Sequence, residues 1–426
     1  MNKSKVLFFT IALWALPFVS FSQSLTTYSP YSRYGLGEIR TQGYANTKAM
    51  GGISQGVRQG SSINYLNPAS YTSQDSMSFI FDFGVQGATV NYRSGDQSNI
   101  NSTGNLQHLA IQFPVTKWMG ASAGIQPYSN VGYRIKYTEM DPYLLSSIGP
   151  IKYYHNGNGG ITQFYLGTAV KPFKNFSIGV NMSYLFGAME YKSETEFPSY
   201  TTYAGFEELN SIVVRDVVFS FGAQYTMFFG ENNDYKVILG GTLDNQTSLD
   251  VNHIRFVSQP FGNTIDTISY KENSNSSIEL PSNYAGGFTI SYKNKLMLGA
   301  EYSFQDWTKA KFLYANDLLS TSQSIRVGMQ YTPNQFDLRS YLKRISYRAG
   351  FYNTSTFLKL RDNQIKDYGI TFGVGLPLRR TRSSFNISVE LGRKGTLNNG
   401  LVQEDYGIIN FGFTFYDFWF LKQKIN

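Results

Sequence analysis

The residues that could do chemistry are few and scattered. Histidine occurs three times, at His108, His155 and His253, and cysteine not at all. No two histidines stand at metal-ligand spacing. Without thiols there is no disulfide, no thiolate metal site and no cysteine nucleophile. The G-x-S-x-G elbow, the Walker loop and the H-E-x-x-H pair are missing from the sequence. The chain is therefore expected to be no enzyme and to carry no metal or organic cofactor. What remains is a set of isolated charges within otherwise apolar runs: Asp82, Asp244, Glu301, Arg326, Arg348 and Glu390. Charges so placed can pair with one another, anchor a neighbouring segment or meet a ligand. Arg326 and Arg348 carry the planar fork that suits a carboxylate.

The segments that hold these charges have a period of two. Phe176, Ile178, Val180, Met182, Tyr184 and Phe186 fall on one face, and Ser177, Gly179, Asn181 and Ser183 on the other. The same alternation runs through 296–305, 368–374 and 385–392. A soluble β-sandwich would place Lys and Glu on its polar face. Here that face is Gly, Ser, Thr, Asn and Gln, as a confined lumen requires. Many segments reach 11 residues or more, enough for a tilted membrane-crossing strand. Fourteen segments begin near Met77, Gly104, Trp118, Gly159, Asn175, Ser211, Tyr235, Glu279, Lys295, Thr321, Lys343, Ile365, Arg382 and Asp405. Short turns alternate with longer loops near 93–103, 138–158, 191–210, 247–278, 310–320, 353–364 and 393–404. The pattern predicts an all-β fold: a 14-stranded antiparallel transmembrane β-barrel over 77–426. An Arg or Lys on the lipid face would cost about 2–4 kcal/mol at the midplane, so the six charges, and His108 with them, should point inward.

Composition agrees. The 426 residues are 16% aromatic and 15% charged, against about 25% charged in ordinary globular chains. Mean hydropathy is −0.27, because the two faces cancel. Residues 1–22 read as a signal peptide: Lys3 and Lys5, an apolar run from Val6 to Phe21 broken by Pro17, and a Ser20-Phe21-Ser22 cleavage site. The expected destination is the outer membrane of a Gram-negative cell, with its lipid as surroundings. Losing the two lysines lowers the net charge from +8 to +6. That surplus is spread through turns and is no nucleic-acid footprint.

Residues 23–76 do not alternate. They are rich in glycine, yet hold Tyr28, Tyr31, Tyr34, Ile53, Val57, Ile63, Tyr65 and Leu66, which need burial. A barrel of about fourteen strands leaves an open lumen unless something fills it, so the segment is expected to fold inside as a hatch. Within it, Asn67-Pro68-Ala69 predicts a tight turn pinned to the wall. In the third strand, Pro127 can give no hydrogen bond to the ladder. The wall should bend or part there, making Pro127, Tyr128, Ser129 and Asn130 a candidate lateral gate. The loop aromatics Tyr153, Tyr154, Tyr203 and Phe206 are candidates for gripping an apolar ligand.

Ala49-Met50-Gly51-Gly52-Ile53, followed by Ser62-Ile63-Asn64-Tyr65-Leu66-Asn67-Pro68-Ala69, resembles the hatch of the FadL-type outer-membrane transporters of hydrophobic compounds. Leu298-Gly299-Ala300-Glu301-Tyr302-Ser303 before Asp306-Trp307, and Tyr347-Arg348-Ala349-Gly350-Phe351, resemble the family's late strands. Tyr28 to Gly35 and Trp419-Phe420-Leu421-Lys422 resemble Bacteroidetes-type members. The resemblance implies a hatch centred on Gly51, Gly52, Asn67, Pro68 and Ala69. It also implies a kinked third strand, and passive transport of a hydrophobic small molecule such as a long-chain fatty acid, with lateral release into the membrane. FadL-like barrels also serve as accessory subunits of secretion machinery, which would imply a protein partner instead.

Overall fold

The computed structural model describes residues 25–39, 43–198, 205–261, 264–312, 318–379 and 381–418. The expected signal peptide, Tyr203 and the terminal Trp419-Phe420 lie outside these. Fourteen strands form the wall. They are β1 Ser78–Ser94, β2 Gln97–Pro114, β3 Met119–Thr138, β4 Lys152–Phe173 and β5 Phe176–Glu196. Next come β6 Phe206–Phe229, β7 Tyr235–Asp244, β8 Asn283–Tyr292, β9 Leu296–Asp306 and β10 Thr321–Tyr331. The last four are β11 Ser346–Leu360, β12 Asn363–Pro377, β13 Ser384–Gly395 and β14 Gln403–Phe418. Every neighbour is antiparallel, and β14 pairs with β1 from Gln403↔Arg93 to Phe418↔Ser78, which closes the ring.

The strands overrun the expected starts on the long-loop side. β2 begins at Gln97 rather than near Gly104, β4 at Lys152 rather than near Gly159, and β6 at Phe206 rather than near Ser211. Tyr153, Tyr154 and Phe206 are therefore strand residues, not loop residues. The stretch expected as a loop over 247–278 is a hairpin, Thr247–Phe261 with Thr264–Leu280, whose first strand pairs with 207–214 of β6. The reason is physical. Beyond the apolar zone both faces meet water, so the alternation of side chains fades while the backbone ladder continues.

Within the apolar zone the two faces separate cleanly. Phe83, Leu109, Phe164, Ile178, Phe221, Leu239, Phe288, Leu298, Val327, Phe372 and Phe411 project from the outer face and are exposed. Their immediate strand neighbours turn inward. Among the described residues no helix is long and apolar enough to cross a membrane, which says nothing of strands.

Residues 43–74 lie against the inner face. A short helix, Ala45–Lys48, meets β12, β13 and β14, and a 3-10 helix, Pro68–Ser73, meets β4, β5 and β6. The wall can accept a chain so close because it lacks side chains where the backbones touch. A Cβ on Gly240 would overlap the Gln55 carbonyl, and one on Gly350 would overlap the backbone at Gly51. Two apolar clusters result. One joins Tyr44, Ile63, Tyr65 and Tyr71 to Ile80, Tyr165 and Tyr416, and the other joins Met50, Ile53 and Val57 to Met297.

Candidate functional site: a divided wall and the cavity behind it

The wall is incomplete between β2 and β3. These strands pair only over 109–114 and 120–125, from Pro114↔Gly120 up to Leu109↔Ile125. Beyond that point β2 continues alongside β1, and β3 continues alongside β4 to Thr138↔Lys152. Pro127 stands just past the last β2–β3 pair. On the β4 side the register slips between Pro127 and Ser129, leaving Tyr128 bulged. Proline is tolerated at such an edge because no ladder bond is asked of its nitrogen, and a bulge bends the strand that carries it. The distortion reaches β4, where Gly159 opposite Val131 takes φ +106°, a conformation that disfavours any side chain.

The N-terminal segment lies across this division. Glu38 and Ile39 pair antiparallel with Asn130 and Ser129 of β3. Ser32 Oγ donates to the Gly132 carbonyl at 3.1 Å and accepts from the Gly132 N–H at 3.0 Å. On the other bank, Asn105 Nδ2 of β2 donates to the Thr26 carbonyl at 3.0 Å. Residues 26–39 thus bridge strands that no longer pair with each other.

Behind them is a cavity of about 390 Å³. Tyr128, Val218, Leu280, Trp307 and Phe357 give it apolar surface. Its charged lining comprises six carboxylates (Glu38, Asp244, Glu301, Asp367, Glu390 and Glu404) and three cations (Lys48, Arg326 and Lys394). Several of these tie the segment down. Lys394 Nζ lies 2.8 Å from Glu38 Oε1, Thr27 Oγ1 donates to Glu38 Oε2 at 2.9 Å, and Ser29 Oγ donates to Glu404 Oε1 at 2.5 Å.

The expected site residues divide into groups. Glu301 Oε2 accepts from the backbone N–H of Ser54 at 2.7 Å and of Gln55 at 2.9 Å, and its Oε1 meets Arg326 Nη1 at 3.3 Å. Arg326 also runs past Gly52. Glu390 accepts from Tyr352 at 2.7 Å and lines the cavity. Asp82 is not at the cavity: it meets His108 Nε2 at 2.5 Å and accepts from Thr414 Oγ1 at 2.5 Å, with Tyr44 stacked on the imidazole at 3.6 Å. Arg348 is also apart from it, donating to Gln330 at 2.8 Å and to Asn386 at 2.8 Å. Of the two arginines, Arg326 lines the cavity.

Gly51 (φ +68°) donates its N–H to Thr371 Oγ1 at 2.8 Å, and Gly52 takes φ +80°. Asn67 accepts from the Ala69 N–H at 3.2 Å and donates to the Gln55 carbonyl at 3.0 Å. Pro68 fits against Gly179 and Gly222 of the wall.

Sequence reasoning missed Arg58. Its guanidinium donates to the Ala69 carbonyl, Ser177 Oγ and Gln224 Oε1 at 2.8, 2.8 and 3.1 Å, and to Thr72 Oγ1 at 2.7 Å. Burial pushes it down to about 10, so it stays charged at neutral pH. It also missed Glu38, Lys394 and Glu404. Alternation from Glu390 through Gly392 to Lys394 would have found the lysine, had the strand been carried beyond the apolar zone.

Comparison places this architecture among known barrels. The Pseudomonas putida toluene transporter TodX is 13% identical, with a TM-score of 0.59 over 91% of this chain and 98% of its own. The Ralstonia pickettii toluene transporter TbuX is 10% identical, with a TM-score of 0.56 over 87% and 97%. A Pseudomonas aeruginosa FadL homologue is 13% identical, at 0.50 over 86% and 94%. At these identities the likeness is one of fold: a closed antiparallel β-barrel. No curated protein matches the chain. The family model of BamG matches residues 1–426, and the chain belongs to the BamG family.

Proposed function

We propose that the chain is an outer-membrane passive transporter for uncharged hydrophobic small molecules, with residues 43–74 as its hatch and the β2–β3 division as its side exit. The observation that carries this is the division itself, bridged by residues 26–39 rather than by strand pairing. The apolar outer face supports placement in a bilayer. A ligand would gather in the cavity, displace the bridging segment past Pro127, Tyr128, Ser129 and Asn130, and partition into lipid, which needs no energy source. The lining sharpens the ligand class. Two of the three cations are held by carboxylates of the lining, Lys394 by Glu38 and Arg326 by Glu301, which leaves little to receive a ligand carboxylate, so a neutral hydrocarbon or aromatic fits better than a long-chain fatty acid. Whole-cell uptake of toluene and of a fatty acid tests this. Pro127→Ala restores a backbone N–H and should let β3 pair further with β2, lowering toluene uptake. Uptake unchanged by the substitution would remove the exit.

A second reading has its own observation. The 247–280 hairpin stands on β6 with Ile268 and Tyr270 more than half exposed. On this reading the chain is a FadL-like interaction barrel, an accessory subunit of a secretion system that docks a protein. Affinity purification from native membranes discriminates. A stoichiometric partner lost when 250–277 are deleted favours docking, and ligand uptake that survives the deletion favours transport.

A further inference from the structure

Phe336, Leu338 and Leu342 stand out among the chain's turns. They are 79%, 100% and 65% exposed, although they sit in a well-built turn. Asn334 Oδ1 accepts from the Phe336 N–H at 3.1 Å, and Asp337 Oδ1 accepts from the N–H groups of Arg339 and Ser340 at 2.9 and 2.7 Å. The Asn334 N–H donates to the Lys343 carbonyl at 2.8 Å. The backbone is thus held while large apolar side chains are presented outward, a costly arrangement in water.

Two further observations say what covers them. First, the turn is continuous with the outer apolar face. It joins β10 to β11, whose end residues Tyr331 and Tyr347 pair with each other and project outward. The Tyr347 hydroxyl donates to the Leu342 carbonyl at 3.2 Å, so the turn rests on the aromatic rim of the apolar band. Second, the charge around the apolar residues is mainly positive. Arg339 and Lys343 are exposed, and Arg344 lies over the Tyr341 ring at 5.0 Å. Asp337, the one acid of the turn, spends its carboxylate on the turn's own N–H groups and faces Lys343 at 3.6 Å. Apolar side chains with a basic fringe at the rim of a bilayer suit an anionic lipid surface.

We propose that this turn is a lipid foot. Phe336, Leu338 and Leu342 enter the bilayer leaflet on the short-turn side, and Arg339 and Lys343 hold the phosphates of anionic phospholipid there. The inference rests on the barrel being membrane-embedded. The short-turn side would then be periplasmic.

The absence of cysteine makes the test direct. Leu338→Cys, labelled with an environment-sensitive fluorophore, is placed in vesicles of phosphatidylethanolamine and phosphatidylglycerol. Blue-shifted emission, quenched by acyl-chain nitroxide lipid and protected from aqueous iodide, is the expected result. Water-like emission quenched by iodide would overturn the foot and leave the turn free for a soluble partner. Phe372→Cys, on the outer face of β12, is the control. If both labels report water, the membrane reading itself fails; if only Leu338→Cys does, the foot alone fails. Arg339→Glu combined with Lys343→Glu should reduce the phosphatidylglycerol retained through purification, measured by lipid mass spectrometry. Unchanged retention would overturn the anionic-lipid contact.

Discussion

Glu301 shows how an isolated charge can be legible by position and opaque in role. Alternation predicts that it points inward, and the structure makes it an acceptor for the backbone N–H groups of Ser54 and Gln55. Hydrogen bonds to a charged group contribute about 1.5–3 kcal/mol each. Glu301→Gln should therefore lower the thermal midpoint and speed proteolysis within 43–74. A protease pattern identical to wild type would show that Glu301 does not hold the segment. Arg58 makes a sharper case. Arg58→Lys keeps a cation but cannot reach four acceptors spread over the segment, β5 and β6, and a loss of about 1–3 kcal/mol is expected. Chemical denaturation in detergent measures it. Glu301 acts through backbone N–H groups and Arg58 partly through side chains of β5 and β6, all more than a hundred residues away in sequence, and nothing in the local pattern announces such partners.

At the scale of elements, the bridging strand makes a reversible test. Ile39 and Ser129 face each other across the Glu38–Ile39 pairing, at a separation a disulfide can span. Ile39→Cys with Ser129→Cys should block uptake when oxidised and restore it on reduction. Uptake indifferent to redox state would mean that residues 26–39 do not close the exit. The strands themselves were readable because lipid on one side and a filled lumen on the other force alternation residue by residue. Pro127 was readable for a related reason: a missing N–H has meaning only where a ladder is expected. The bridging strand was not readable, because two residues, Glu38 and Ile39, carry no period. The 247–280 hairpin escaped for the opposite reason: its pattern exists, but with water on both faces it no longer reports which side is in.

For the whole molecule, the outer face sets the solvent. Leu298→Arg, on the exposed side of β9, should cost about 2–4 kcal/mol of folding stability in vesicles if the residue lies near the bilayer midplane, whereas Leu298→Phe should be nearly neutral. Equal stabilities in a urea titration would argue that this face is not in lipid. The ring is shut by pairing β14 with β1, strands more than 300 residues apart in the sequence. Until β14 arrives the sheet is an open trough, and the glycine-bare inner surface is accessible from the side. Afterwards residues 43–74 are enclosed by a continuous wall except at the β2–β3 division. Closure and filling are therefore coupled, because the helix Ala45–Lys48 rests on β14, the strand that shuts the ring.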